Sequence, residues 1–277
     1  MVHGAVTRRV CVLLVLIGPR LHGAFEKLPE GGRAAGMGGV AVAVARDPWT
    51  LLANPSLAAL LTERSVSAAF SPGLFGIPDL RRRSFAWVEP TQIGTFACAA
   101  TWLGSSLYRE TTASLTYALA VDPCFGCGIR GALYHLRIDR YGSAATFGID
   151  IGLSCAVSPE LLFGAAAVNV NFPAIGSCHE RLPQELSVGI AYQPLHELIL
   201  AADLVREKGF PAELRAGVCY SLFECLEVRA GATDAPETYS AGAGLLLSSL
   251  RLDYGMTSHP DLGLSHHFAL TIFPGEL

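Results

Sequence analysis

Charge is what this chain of 277 residues has least of, with only 16% of its residues Asp, Glu, Lys or Arg against about 25% in typical soluble domains. A positive mean hydropathy would ordinarily come from helical membrane spans. Yet the uncharged windows 90–108 and 161–178 carry Pro, Gln, Asn, Thr and several Gly, which makes them poor membrane helices. The formal net charge of −4, with no basic cluster beyond Arg81-Arg82-Arg83, gives no reason to expect a nucleic-acid partner. Catalytic signatures are missing too: there is no Gly-x-Ser-x-Gly elbow and no phosphate loop. Asp253 and Asp261 have no partner signature of working paired carboxylates. His266 and His267 lack a third ligand, and neighbours on a strand point to opposite faces, so a shared metal is not expected. The sequence therefore predicts no enzyme, no cofactor and no metal.

Residues 1–24 read as a secretory signal: Arg8 and Arg9 open it, and Val10 to Gly18 forms an apolar core of the usual length. Cleavage fits after Gly23 or Ala24. Cys11 sits inside the apolar run, so no lipobox follows it. Seven cysteines remain after Cys11, an odd number that leaves at least one unpaired or paired between chains. Cys124-Phe-Gly-Cys127 has no second pair at metal-ligand spacing and reads as a turn holding a local disulfide or free thiols.

What the chain does have is alternation. In residues 144–157, Phe147, Ile149, Ile151 and Leu153 fall on one strand face, and Gly148, Asp150, Gly152 and Ser154 on the other. About fourteen such runs follow Ser65, from Ser65–Phe70 and Ser84–Val88 through to Leu250–Met256 and His267–Phe273; twelve strands is the alternative, because the first two runs are short. Short links such as 157–160 and 193–196 alternate with mostly longer, more polar ones such as 71–83 and 171–184. These features predict an all-β, transmembrane, antiparallel up-and-down β-barrel over residues 63–277, with bulky side chains toward lipid. Leu186, Val188, Ile190 and Tyr192 would face outward. Asp150, Asp203, Glu213, Arg215, Glu227, Arg229, Arg251 and Asp253 would face the lumen, because Arg or Lys costs roughly 2–4 kcal/mol on the lipid face at mid-depth and a one-residue slip would turn them all outward. Two readings of this lumenal set stand: a structural ion network holding the wall to a plug, or a path for substrate or protons.

Residues 25–62 differ from the rest. Gly31, Gly32, Gly36, Gly38 and Gly39 suit close backbone approach. Asn54 can cap a short helix that Pro55 opens. The run from Gly31 to Leu60, with Asn54-Pro55-Ser56, resembles the start of mature proteins in the FadL-like superfamily of outer-membrane hydrophobic-compound transporters, and looks most similar to its PorV/PorQ-type branch, which includes spirochaetal relatives. Ser56 departs from the alanine of that family's Asn-Pro-Ala motif. Residues 252–255, 261–263 and 268–271 resemble the family's last hairpin. The resemblance implies a small N-terminal hatch with a short helix inside a 14-stranded barrel, and assigns Gly36, Gly38, Gly39, Asn54 and Pro55 to the hatch. It implies passage of a hydrophobic, long-chain fatty-acid-like molecule across the outer membrane of a diderm bacterium. Membrane lipid, the hydrophobic ligand and the barrel-assembly machinery would be its partners. The alternative is a PorV-type scaffold for secretion that holds protein cargo.

Overall fold

The computed structural model describes residues 23–276. The expected secretory signal falls largely on residues 1–22, outside the described residues. Beyond them the chain forms β1 (Ser65–Ser71), β2 (Arg82–Thr91), β3 (Gly94–Gly104), β4 (Tyr108–Ala120), β5 (Phe125–Ile138), β6 (Gly142–Ser158) and β7 (Leu161–Val168). A two-residue-a-strand hairpin, β8 (Ala174–Ile175) with β9 (Glu180–Arg181), interrupts the series. It resumes with β10 (Glu185–Leu195), β11 (Leu198–Glu207), β12 (Ala212–Phe223), β13 (Leu226–Asp234), β14 (Glu237–Leu247), β15 (Leu250–His259) and β16 (Gly263–Ile272). Each barrel strand pairs antiparallel with its sequence neighbour, β7 pairing with β10 across the inserted hairpin. Val66↔Ile272 through Phe70↔Phe268 close β1 onto β16. The result is a closed barrel of fourteen strands, without the open edges that invite mispairing.

The phase of the alternation follows the sequence pattern. Leu115 is 72% exposed and Leu186 61% exposed, while Asp150 and Asp203 are each 1% exposed. An apolar band of this extent around a whole molecule is what lipid covers, since soluble monomers rarely expose contiguous apolar patches beyond a few hundred Å². Among the described residues no helix is long and apolar enough to cross a membrane.

Differences from the sequence reading lie at strand ends. β16 begins at Gly263, four residues before the expected His267, and Phe273 follows it, its N–H donating to the Ser249 carbonyl at 2.9 Å. Several links expected to be long are tight turns, because ladder hydrogen bonds carry the strands further: β13 and β14 are joined across 235–236 and β15 to β16 across 260–262. The long link 169–184, expected as a longer and more polar connection, folds back against the barrel interior. Its Ile175 and Leu182 are buried with Phe25, Ala132 and Tyr134 in one cluster. Cys98, Cys124, Cys127, Cys155, Cys178, Cys219 and Cys225 are free thiols, so the Cys124–Cys127 turn holds no local disulfide.

The segment before β1 lies inside the lumen as a plug. It contains helix α1 (Gly31–Gly36) and two 3-10 turns, Pro48–Leu52 and Pro55–Leu60. Asp47 caps the first turn by accepting from the Trp49 N–H at 2.8 Å. Asn54 caps the second, accepting from the Ser56 N–H at 3.1 Å, and Pro55 supplies its first position as the sequence suggested.

Candidate functional site: the plugged lumen

The plug touches the wall all the way round. Its 3-10 turns lie on β1 to β6, α1 lies on β1 and on β13 to β16, and Val42 presses on Gly164 of β7 and Gly189 of β10. Met37, Val40 and Val44 share a buried cluster with Ile199 of β11 and Cys219 of β12.

Two kinds of contact hold it. Over β5 to β7 the wall offers glycine. A Cβ on Gly128 would lie 2.5 Å from the Pro55 carbonyl carbon, and one on Gly152 would lie 2.8 Å from Pro55 Cδ. The plug backbone thus rests directly on strand backbone, a closeness only glycine permits. Asn54 is fully buried and satisfied on both ends. Its Nδ2 donates to the Val42 carbonyl at 2.8 Å and to the Leu153 carbonyl of β6 at 3.0 Å, and its Oδ1 accepts from Ser56 Oγ at 2.8 Å. It therefore ties the plug to itself and to the wall. Across the lumen, Gly36 packs on β14, where a Cβ on it would sit 2.9 Å from the Gly242 Cα; Gly38 and Gly39 turn the chain at positive φ, +72° and +78°.

On that side charge is added to the glycine contact, for a Cβ on Gly231 of β13 or Gly255 of β15 would also collide with plug backbone. Glu227 receives three guanidinium groups, Arg33 of the plug with Arg229 and Arg251 of the wall, each at 2.6 Å. Asp253 also accepts from Arg229 at 2.6 Å and Arg251 at 3.1 Å. Arg33 lies 3.4 Å from Asp47 within the plug. A shared oxygen among guanidinium groups offsets part of the desolvation of each, which is how buried charge is tolerated.

The remaining lumenal residues form separate contacts. Asp203 accepts the plug N–H groups of Ala41 at 2.8 Å and Val42 at 3.0 Å. Glu213 pairs with Arg215 on its own strand at 2.8 Å. Asp150 pairs with Arg130 of β5 and accepts the Asn169 N–H at 2.7 Å. The eight charged residues singled out from the sequence all face inward, but only Glu227, Arg229, Arg251 and Asp253 join in one cluster, while Glu213 and Arg215 pair with each other and Asp150 with Arg130. Sequence reasoning missed Arg33, Asp47, Arg130 and the Glu30–Arg82 pair. Arg82 and Arg130 carry the same parity signal as the rest; the plug residues Arg33, Asp47 and Glu30 have no strand periodicity to expose them.

Between plug and wall lies a cavity of about 130 Å³, with Leu28, Ala34, Trp49 and Leu52 on the plug side and Ala99, Thr101 and Leu103 on the wall side. Glu30, Arg82, Glu110 and Arg130 line its polar portion. Burial raises the Glu30 carboxyl above its ordinary value, against the pull of Arg82. No three of His, Cys, Asp or Glu among the described residues are grouped to hold a metal. His267 is buried and paired with Ser71 Oγ at 2.9 Å, while His266 bonds the Tyr254 hydroxyl at 2.9 Å.

A closed fourteen-strand wall around an N-terminal plug defines the class: a plugged β-barrel. No family model matches the sequence, and no curated protein sequence matches it. Solved structures do share its fold. The Ralstonia pickettii toluene transporter TbuX superposes with a TM-score of 0.64 at 14% identity, over 89% of this chain and 98% of that one. The P. putida toluene transporter TodX gives 0.66 at 12% identity, over 89% and 97%. A Pseudomonas aeruginosa FadL homologue gives 0.60 at 13% identity, over 90% and 99%.

Proposed function

We propose that this protein sits in the outer membrane and passes small hydrophobic molecules across it through the plugged lumen. The cavity between plug and wall carries the reading. A ligand that dislikes water needs a largely dry, bounded space with a few fixed polar groups, and an open water pore does not supply one. The cavity volume, about 130 Å³, is close to the roughly 150 Å³ of an engineered apolar cavity that holds benzene. It suits a single aromatic ring better than a whole long acyl chain. Two fold neighbours, both toluene transporters, point the same way. In this reading Asn54 and Pro55 shape the element that moves, and the Glu227 cluster anchors the other side of the plug.

The test is accumulation of labelled toluene, and separately of a labelled long-chain fatty acid, in cells stripped of their own hydrocarbon channels. The wild-type chain should raise toluene entry several-fold. Thr101→Trp, which fills the cavity from the wall, should abolish the gain while leaving the folded, heat-modifiable barrel intact. Equal entry with and without the tryptophan would overturn the proposal. A secretion scaffold would instead move neither probe and would purify with a stoichiometric protein.

A further inference from the structure

We propose that the outside of the barrel, at the rim formed by β2 to β5, binds the phosphate headgroup of an anionic lipid whose acyl chains lie on the wall beneath. The inference rests on the membrane-embedded reading above and adds a ligand outside the lumen. Arg83, Arg109 and Arg137 are exposed and share the outward parity of Phe85, Leu115 and Leu133. Arg109 stands directly opposite Arg137 in the ladder. Gly104 pairs with Arg109 and donates its N–H to the Arg81 carbonyl at 3.0 Å. Arg81, Arg109 and Arg137 are therefore level across neighbouring strands, and Arg83 lies just below, opposite Trp102. A groove of about 640 Å³ runs among Arg81, Arg83, Trp102 and Arg109, with Asp79 the one carboxylate on its lining.

This arrangement works against the fold unless something neutralises it. Like charges directly opposite on paired strands repel. Among the described residues, none of these four arginines lies within ion-pair distance of a carboxylate, whereas at the other rim Arg64 is held by both oxygens of Glu89 at 2.6 and 2.7 Å. At the same rim as the arginines, the far sector is acidic, with Asp234, Glu237 and Asp261 exposed. Arginine presents a planar fork that fits phosphate oxygens two at a time, and near the interface a cation on the lipid face costs little. The exposed Phe85, Trp87, Leu115 and Leu133 below the row give acyl chains their surface. That continuity of charge and grease favours a lipid over free phosphate.

The full chain, folded into phosphatidylcholine nanodiscs doped with phosphatidic acid, can be read by native mass spectrometry. Wild type should retain phosphatidic acid and not phosphatidylcholine, whose phosphate is masked by its own cation. Arg109→Gln with Arg137→Gln should cut retention about tenfold, and Arg83→Gln alone by less. Asp234→Asn with Glu237→Gln should leave it unchanged. Displacement of the lipid by millimolar inorganic phosphate would assign the site to the free ion and overturn the proposal. Equal retention by wild type and the Arg109/Arg137 variant, both heat-modifiable and inserted, would overturn it while leaving the membrane reading standing. Failure of the wild type to insert would remove both.

Discussion

The plug is held differently on its two sides. On β5 to β7 the contact is neutral: strand glycines lie under the plug backbone and one amide, Asn54, links them. On β13 to β15 strand glycines again lie under the plug backbone, Gly242 and Gly255 among them, and an ionic cluster gathered on Glu227 and Asp253 is added. Backbone resting on backbone has no tolerance, since a single added carbon collides. A guanidinium cluster can re-form around a shifted partner, because long side chains reach. Glycine contact therefore fixes the position of the plug on both sides, and the β13 to β15 side adds an ionic hold that can be released and remade.

Removing the charge should produce the largest loss. Glu227→Gln leaves Arg33, Arg229 and Arg251 without the negative charge they share. Breaking a buried ion pair by deleting one partner typically costs about 3–5 kcal/mol. The low end applies because Glu227 keeps 19% of its side chain in contact with solvent. A denaturant midpoint measured in lipid vesicles checks this, with Glu89→Gln at the exposed Arg64 pair as a control expected to change nothing measurable. If Glu227→Gln matches the control, the ionic side does not hold the plug.

The two sides were also unequally legible. Glu227, Arg229, Arg251 and Asp253 could be placed inward from the sequence because strand parity sorts bulky apolar residues from ionisable ones, and lipid makes the wrong phase costly. Fourteen strands and their closure follow from the same rule. The plug obeys no period: Arg33 sits in a six-residue helix and reaches Glu227 across 194 positions, a contact no local pattern announces. Gly128, Gly152 and Gly164 sat in plain view as small inward residues. Their meaning appears only when the opposing backbone is known, because a missing side chain does not say what it makes room for. The inward-folding 169–184 link was hidden for a similar reason: Ile175 and Leu182 are two apolar residues in a polar stretch.

Substituting the neutral side tests its rigidity. Gly152→Val would put carbon against Asn54 Oδ1 and Pro55 Cδ. Overpacking of this kind costs typically about 1–3 kcal/mol, less than losing Glu227, but its positional effect should be greater. Hydrogen exchange at residues 50–60 should accelerate, and single-channel recordings should show conductance absent from the wild type. Gly142→Val, where a Cβ meets nothing within 4 Å, separates this from a general effect of valine in the wall, although its positive φ of +96° adds local strain there. Protection of the plug unchanged in Gly152→Val would mean that close approach does not position it.

The smallest expected effect concerns protonation on the charged side. Asp47 belongs to the plug, and burial pushes its carboxyl up to about 6, with Asp253 adding to the rise and Arg33 and Arg229 opposing it. A carboxyl whose folded value lies above its ordinary 3.8 binds its proton more tightly when folded. Stability is therefore lowest where Asp47 is ionised, rises as pH falls through 6, and has gained in full once pH is below the unfolded value. Glu30, also raised by burial, adds a slope of the same sign. Between pH 7.5 and 5 the denaturant midpoint of the wild type should thus rise relative to that of Asp47→Asn. Asp47→Asn removes the Asp47 share of the slope while keeping an acceptor for the Trp49 N–H. A midpoint difference between wild type and Asp47→Asn that does not change with pH would show that the ion pair with Arg33 outweighs burial and that this side of the plug is locked as a charged pair at neutral pH.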